Sequence, residues 1–214
     1  ATGSDTLHKS KEEGQGKAAY SSTFGYFSTP QDGARKTKGW FKVVAGQYLN
    51  SEDYNNGSDA WYYAGNNGKI VAGEIKSING KKYAFDGYGK MVSGLQFLKL
   101  SNGKIEEIID SGKYDTSDKY SKFVNENIDA INAGTIAAYY FGADTDGSMK
   151  TGNQTVTLDD ESVKFFFNTS GAKKGSGVTG LGNKNKSLYQ AGKLVTSSKY
   201  IFDHSLVTML GYGE

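Results

Sequence analysis

The chain contains a 13-residue segment that recurs in altered form 21 residues further along. The first copy is Trp61–Gly73 and the second is Lys82–Gly94. Both have an aromatic run, a turn that ends in glycine, a Lys-apolar-Val run and a closing glycine. A fixed period of about 20 to 50 residues is typical of repeat proteins, in which each repeat buries its apolar face against its neighbours.

Each copy predicts one β-hairpin, in which an aromatic strand, a turn closed by glycine and a short return strand follow one another. The composition agrees, with 29 glycines, one proline, 15 tyrosines and 11 phenylalanines. Much of the apolar content is therefore in flat rings, as expected of thin stacked hairpins without a deep core. We predict a mainly β fold, a solenoid of stacked β-hairpin repeats of about 21 residues with one helical insertion.

The same pattern predicts about seven repeats, of which the first and last are atypical, as the end caps of a stack usually are. The stretches that mark repeats beyond the two copies are 26–39, 139–152, 164–171, 188–196 and 199–211, while 40–44 opens the repeat that continues in Trp61–Gly73. A polar loop at 50–59 lengthens one connection. Residues 1–19 are too polar to bury much surface, so we predict a tail or linker there and one repeat domain over 20–214.

The insertion covers about residues 101–134 and has a different pattern. Its apolar residues follow the three- and four-residue spacing of a helix: Tyr120, Phe123, Val124, Ile128 and Ile131. This predicts one helix of roughly 15 residues that Ser117 or Asp118 caps and Gly134 ends. The short apolar run at 105–109 is compatible with a helical turn or with an added strand.

The charge balance and the residue inventory exclude several functions. The chain has 25 Lys plus Arg against 23 Asp plus Glu and no cysteine. No strongly basic surface for nucleic acid is expected, and there is neither a disulfide nor a thiolate metal site. No apolar run is long enough for a membrane span, and no leader is visible at the start, so an exported form is expected to have lost its signal.

The acidic residues and histidines do not form a recognisable metal-binding or catalytic arrangement in the sequence. They are the turn pair Asp144 and Asp146, the pair Glu106-Glu107, the run Asp159-Asp160-Glu161, and the isolated His8 and His204. A calcium loop needs more oxygen ligands at set spacings, and a hydrolase needs an acid and a base that face each other. We therefore predict a non-enzymatic protein with no catalytic residue, no metal site and no cofactor.

Several short motifs are similar to those of a known family. They are Gly39-Trp40, Trp61-Tyr62-Tyr63, Gly68-Lys69-Ile70, Gly89-Lys90-Met91 and the closing pairs Ala72-Gly73 and Ser93-Gly94. This pattern resembles the cell-wall-binding repeat family, which includes choline-binding modules, glucan-binding tails and clostridial toxin repeats of Gram-positive bacteria. The resemblance covers about Phe24 to Asp203 apart from the insertion, and Gly39 to Gly94 is its most specific part. It implies a spiral of hairpins that is secreted or surface-attached and holds choline or sugar units in grooves between hairpins.

Carried onto this sequence, the resemblance implies a ligand-binding site made of Trp40, Trp61, Tyr83 and Met91. Aromatic faces hold a quaternary ammonium by cation–π attraction and also stack on the apolar face of a sugar. Packing between hairpins is the alternative role for both tryptophans. For other aromatic residues packing is the favoured interpretation, namely for Tyr62, Phe85, Tyr140 and Phe166.

The tryptophan count limits the number of such sites. The chain has two tryptophans. Lys82 and Lys164 stand at positions that match Trp61, and Leu95 and Val178 stand where Trp40 would recur. At most one complete aromatic site is therefore expected, which argues against multivalent choline binding.

We thus predict a secreted or surface-attached module that binds envelope carbohydrate or a related polymer. The expected ligands are cell-wall polysaccharide, teichoic acid or a choline-like group. The alternative hypothesis is a structural or adhesive spacer whose helical insertion contacts a protein partner.

Overall fold

The structure is a computed structural model that describes residue 25 and residues 37–47, 49–182 and 186–196. The predicted tail at 1–19, residues 26–36 of the first repeat and the final hairpin at 199–211 lie outside these residues. The assignment of residues 20–214 to one repeat domain stays a prediction.

The described residues are mainly β, which confirms the predicted fold class at that level. The strands are β1 Gly39–Val44, β2 Asp59–Ala64, β3 Glu74–Ile78, β4 Lys81–Phe85, β5 Leu95–Ser101, β6 Lys104–Ile108, β7 Ile136–Tyr140, β8 Gly152–Leu158, β9 Glu161–Phe167, β10 Gly180–Gly182, β11 Ser187–Gln190 and β12 Lys193–Leu194. The helices are α1 Ser51–Asn56, α2 Ser117–Glu126, α3 Ile128–Ala133 and a 3-10 helix at Ser111–Lys113.

The chain forms two compact units, each assembled from three stretches of sequence. The first unit comprises Ala1–Gly94, Ser101–Glu106 and Phe141–Ser148. The second unit comprises Leu95–Leu100, Glu107–Tyr140 and Met149–Glu214.

In the first unit, each aromatic strand pairs with the strand that precedes it. Strands β1 and β2 are antiparallel over their whole length, and so are β3 and β4. The turn between β3 and β4 is Asn79-Gly80, with φ of 48° and 80°. Two successive positive φ angles are typical of the turn that joins tightly paired strands, for which Asn-Gly is the favoured sequence. The predicted pairing of aromatic strand with return strand was therefore wrong for most of its length.

The return segment that follows each aromatic strand makes only one bridge to it. The bridges join Ala64 to Ile70 and Phe85 to Met91. The return segments therefore leave the hairpin after one residue.

The two copies nevertheless repeat at the level of backbone hydrogen bonds. The N–H of Gly65 donates to the carbonyl of Lys69 at 2.9 Å, and 21 residues later the N–H of Asp86 donates to the carbonyl of Lys90 at 2.9 Å. The bonds from Val71 to Tyr63 and from Val92 to Ala84 are a second such pair, both 2.9 Å long. The 21-residue offset between these two copies is therefore also present in their backbone hydrogen bonds.

The turn glycine of one repeat packs against an apolar side chain of the preceding repeat. A Cβ atom added to Gly89 would lie under 3.0 Å from Ile70 Cγ2. In the same way, Gly147 approaches the sulfur of Met91, and Gly175 approaches the sulfur of Met149. All three glycines have positive φ, which other residues adopt only with strain. Glycine is thus required at these turns for its conformation and for its small size.

The second unit has a five-stranded antiparallel sheet in the order β10-β11-β12-β9-β8, and β5 pairs with β7. Helix α2 packs on this unit through Tyr120, Phe123 and Val124, all buried. The ring of Tyr120 lies 5.1 Å from that of Phe97 and 5.2 Å from that of Phe165. The insertion therefore supplies part of the core of its own unit.

The predicted helix is present as two shorter helices. Asn127 has a non-helical ψ of 20° and its side chain donates to the carbonyl of Phe123 at 2.9 Å, so it ends α2. The predicted cap was wrong by one residue, because Thr116 has the extended backbone that a cap needs and accepts from the N–H of Lys119 at 3.1 Å. Gly134 ends α3 in the left-handed conformation, as predicted. The run at 105–109 forms most of β6, the strand alternative.

We expect Gly89→Ala to destabilise the protein by about 1 to 3 kcal/mol more than Gly80→Ala does, because only Gly89 is in close contact with a neighbour. Gly80 also has positive φ but has nothing within 4 Å of an added Cβ, so it is the matched control for backbone strain alone. Urea unfolding followed by circular dichroism measures both variants. Equal losses of stability would contradict this account of the turn.

Candidate functional site

The four predicted ligand-binding residues line one pocket in the first compact unit. Trp40, Trp61, Tyr83 and Met91 surround a cavity of about 260 Å³, together with Thr145 and Asp146. All four predicted side chains are partly exposed. Their roles in ligand binding stay a prediction, but the structure brings them together.

The alternation of strands β1 and β2 places the two tryptophans on the same face. Trp40 lies opposite Tyr63 in the ladder, and Trp61 lies two residues before Tyr63. Residues two apart on a strand share a face, as do residues directly opposite each other. Tyr62, between them in sequence, is fully buried on the other face and stacks on Phe41 at 5.7 Å.

Trp40 is the centre of the aromatic cluster. Its ring lies 6.4 Å from that of Trp61 at an interplanar angle of 86°, and 4.8 Å from that of Tyr83 at 70°. Behind it, Tyr63 lies at 5.2 Å and Phe85 at 5.7 Å, and both are buried. Trp40 therefore packs against the core of its hairpin and also forms a wall of the pocket.

The predicted packing role of the other aromatic residues agrees with their surroundings. Phe85 is fully buried. In the second unit, Tyr140 stacks on Phe167 at 6.3 Å, and Phe166 lies 5.4 Å from Tyr189. These rings contact other rings of the same unit.

Thr145 and Asp146 line the pocket but were not among the predicted site residues. They belong to the turn 143–147, in which the N–H groups of Asp146 and Gly147 both donate to the carbonyl of Ala143 at 2.9 Å. The hydroxyl of Ser148 donates to the carboxylate of Asp146 at 2.7 Å. The sequence showed the turn, but not that it lies beside Tyr83 and Met91, which are more than 50 residues earlier.

The neighbouring hairpin has no tryptophan at the corresponding positions. Ile75 lies opposite Ala84, the place that Trp40 takes opposite Tyr63 in the preceding hairpin. Lys82, which matches Trp61, is exposed. An aromatic corner of the same kind therefore does not form there.

Met91 is positioned by the turn 86–90, which the side chain of Asp86 organises. The carboxylate of Asp86 accepts from the N–H of Tyr88 at 2.8 Å and from that of Lys90 at 2.9 Å. The side chain of Lys90 pairs with Asp53 of α1 at 3.2 Å. The bridge from Phe85 to Met91 then closes the turn.

Burial raises the pKa of the Asp86 carboxyl to about 6, although the two backbone N–H groups partly oppose the rise. Burial also raises the pKa of the Tyr62 hydroxyl, and the charges of Asp86 and Asp53 add to this shift. The turn next to the pocket thus contains a carboxylate whose charge is costly to bury.

We expect Asp86→Asn to stabilise the protein at pH 7 by about 1 to 3 kcal/mol. The raised pKa means that the Asp86 contribution to stability is present below about pH 4 and is lost as the pH rises through about 6. An amide oxygen can still accept the two turn hydrogen bonds without a charge. Urea unfolding at several pH values between 4 and 7 measures the difference, and a gap that does not widen with pH would contradict the prediction.

The described residues contain neither a metal-ligand cluster nor a membrane-spanning helix. No group of three His, Asp or Glu side chains in that part of the chain is placed to hold a metal ion. No helix in those residues is long and apolar enough to cross a membrane.

Comparison with known proteins gives relatives among streptococcal proteins. No protein-family model matches the chain. The chain is 30% identical to Glucosyltransferase-S of Streptococcus mutans over 157 residues, which is 72% of this chain and 9% of that protein.

Two solved structures from Streptococcus pneumoniae are similar at lower identity. Choline binding protein F, solved in the presence of a peptidoglycan analogue, is 22% identical, with a TM-score of 0.41 over 77% of this chain and 36% of that one. CbpJ is 20% identical, with a TM-score of 0.45 over 82% of this chain and 41% of that one. This chain thus spans less than half the length of each of these three proteins. The sequence similarity to the glucosyltransferase, with the 21-residue period of the backbone, confirms the resemblance of this chain to the cell-wall-binding repeat family of Gram-positive bacteria.

Proposed function

We propose that the chain is a non-catalytic module that attaches its protein to the bacterial envelope, outside the cell, by binding cell-wall carbohydrate or a polymer that decorates it. The observation that carries the proposal is the convergence of Trp40, Trp61, Tyr83 and Met91 on one cavity. The similarity to a glucosyltransferase, an enzyme named for the transfer of glucosyl groups, supports a ligand that contains carbohydrate.

The arrangement of the rings suits a small ligand group. Trp61 and Tyr83 are both steeply inclined to Trp40, so the three rings form a corner and not a flat platform. A compact cation such as a quaternary ammonium can contact several ring faces in such a corner, whereas one sugar ring can stack on only one of them. A cavity of about 260 Å³ suits one such group.

A single site of this kind binds weakly. If each of three rings contributes about 1 to 1.5 kcal/mol, the sum is about 4 kcal/mol, which corresponds to a Kd of about 1 mM. Firm attachment to a polymer then needs several sites on one protein or on several copies. We infer that this module contributes one weak contact to such a set.

We also infer that the hairpin repeats stack on one another with a period of about 21 residues, as in a solenoid. The contacts of Gly89 with Ile70 and of Gly147 with Met91 support this arrangement within the first unit. The contact of Gly175 with Met149 supports it within the second.

The alternative hypothesis, a spacer whose helical insertion contacts a protein partner, stays a prediction. The apolar face of α2 packs in the core of its own unit, so deleting the insertion would damage the fold. The exposed pair Lys122 and Glu126 is the better place to test a partner contact, because charge reversal there leaves the core intact.

Titration with choline should change tryptophan fluorescence with a Kd of about 1 mM, because both indoles of the chain line the pocket. Trp61→Ala should weaken binding at least about tenfold, since one wall is lost while Trp40 still reports. Tyr54→Ala is the matched control, an exposed aromatic residue of α1 outside the pocket lining.

The same variants should be compared for retention on isolated cell walls, teichoic acid and glucans. Loss of retention in Trp61→Ala but not in Tyr54→Ala is expected. If no soluble ligand binds and no envelope fraction retains the wild-type protein, the proposed function is wrong.

A further inference from the structure

We propose that a second cavity, beside helix α2 in the second compact unit, binds a hydroxylated anion, namely an acidic sugar or a polyol phosphate. This cavity shares no lining residue with the aromatic pocket of the first unit. Its ligand site therefore stands or fails independently of the proposed function. It also gives the helical insertion a role in binding.

The cavity lies between the insertion and the sheet of the second unit. One wall is α2, and the other is formed by residues 161–164 of β9 and residues 193–196. The cavity volume is about 320 Å³, which falls within the range of small-molecule sites. Tyr120, Val124 and Val163 give it an apolar lining, and all three are buried. The space therefore suits one small ligand group.

Buried polar side chains are concentrated at this cavity. Of the four such residues in the described part of the chain, two line it, Ser121 and Gln190. The amide nitrogen of Gln190 donates to Oδ1 of Asn125 on α2 at 2.9 Å, and the hydroxyl of Ser121 donates to the carbonyl of Ser117 at 3.2 Å. Burial of polar groups beside an apolar core costs free energy, so their concentration at one cavity favours a polar ligand there.

Lys193 places an ammonium group in the lining of the cavity. Its Nζ donates to the carbonyl of Ser117 at 2.6 Å and to the hydroxyl of Ser121 at 2.8 Å. Both acceptors are uncharged, so these two bonds orient the ammonium without neutralising its charge. Lys193 is only partly exposed, and Coulomb attraction is stronger at such a position than in open water. The ammonium is therefore a preorganised positive charge that an anion can meet.

The other charged residues of the lining are Glu161 and Lys164. Both are exposed, so water and salt screen them more than they screen Lys193. Their charges are opposite in sign and roughly offset each other. Lys193 therefore determines the charge that a ligand meets inside the cavity.

Strand β9 adds backbone hydrogen-bonding groups to the same wall. The turn Asp159-Asp160 joins β8 to β9, and its two φ angles are 45° and 66°. The residues that flank such a two-residue turn exchange both hydrogen bonds, and so does every second residue after them. Ser162 falls between these residues, so its N–H and C=O point away from β8, toward the side of β12. Among the described residues, β12 pairs with β9 at Phe165 alone.

These features together select a ligand that carries an anionic group on a hydroxylated carbon skeleton. A carboxylate or phosphate would contact Lys193, while hydroxyl groups would exchange hydrogen bonds with Ser121, Gln190 and the backbone of Ser162. A hydrogen bond between charged groups is roughly twice as strong as one between neutral groups, so a neutral sugar of the same shape would bind less tightly. A sugar acid and a polyol phosphate share this chemistry.

The test compares two matched pairs of probes on the full chain: glucuronate with glucose, and glycerol phosphate with glycerol. Binding is measured by ligand-observed NMR and by calorimetry for the wild type, Lys193→Gln and Lys174→Gln. Lys174→Gln is the matched control, because it removes the same charge from an exposed residue of the same unit outside the cavity lining. Circular dichroism checks the fold of each variant.

A second variant, Thr196→Trp, keeps the charge of Lys193 and obstructs the cavity. Thr196 lines the cavity and is exposed, so a large side chain there replaces no core residue. This variant decides the question if Lys193→Gln disturbs the packing of α2.

In the wild type we expect the acidic member of at least one pair to bind about tenfold more tightly than its neutral partner. Lys193→Gln should remove this preference, Thr196→Trp should weaken binding of the acidic probe, and Lys174→Gln should match the wild type. Binding of glucuronate alone would identify an acidic sugar as the ligand, and binding of glycerol phosphate alone would identify a polyol phosphate.

Three outcomes would overturn the inference: no probe binds, the neutral and acidic probes bind equally, or Lys174→Gln lowers the affinity as much as Lys193→Gln does. Trp61→Ala should leave these affinities unchanged, because Trp61 is outside the lining of this cavity. Loss of choline binding or wall retention in that variant would then concern the proposed function alone.

Discussion

The contact between a turn glycine and an apolar side chain of the preceding repeat is the constraint on which the described repeats depend. It recurs where Gly89 meets Ile70, where Gly147 meets Met91 and where Gly175 meets Met149. A hairpin of two short strands is barely stable alone, so each hairpin needs further contacts to cover its apolar face. Close packing of this kind tolerates no extra atom at the glycine.

Met91 connects this packing to the candidate pocket. One side of its side chain lies under Gly147, and the residue also lines the cavity with Trp40 and Tyr83. The contact between Gly147 and Met91 thus also brings Asp146 to the aromatic corner. Asp146 directly precedes Gly147 in the chain, and the hydroxyl of Ser148, which directly follows that glycine, donates to the Asp146 carboxylate.

The sequence predicted what depends on short-range pattern and missed what depends on distant contacts. The 21-residue period, the mainly β class and the helix end at Gly134 follow from local spacing and turn residues. The pairing of each aromatic strand was predicted with the wrong partner, although Asn79-Gly80 is a strong hairpin signal that was available. The place of Asp146 depends on the bridge between Tyr83 and Ser148, 65 residues apart, which no local pattern contains.

Packing and ligand binding require different properties of the side chain at the ladder position of Trp40. This explains how a hairpin can keep its strand pairing without an indole. At the place of Trp40, the next hairpin has Ile75, which still pairs opposite Ala84 in the ladder. Leu95 is buried opposite Tyr140 in the second unit. An aliphatic side chain covers a neighbour as well as a ring does, but it has no π face for a cation. An aliphatic residue in place of tryptophan at this ladder position therefore removes a candidate aromatic site, while the strand still pairs with its partner.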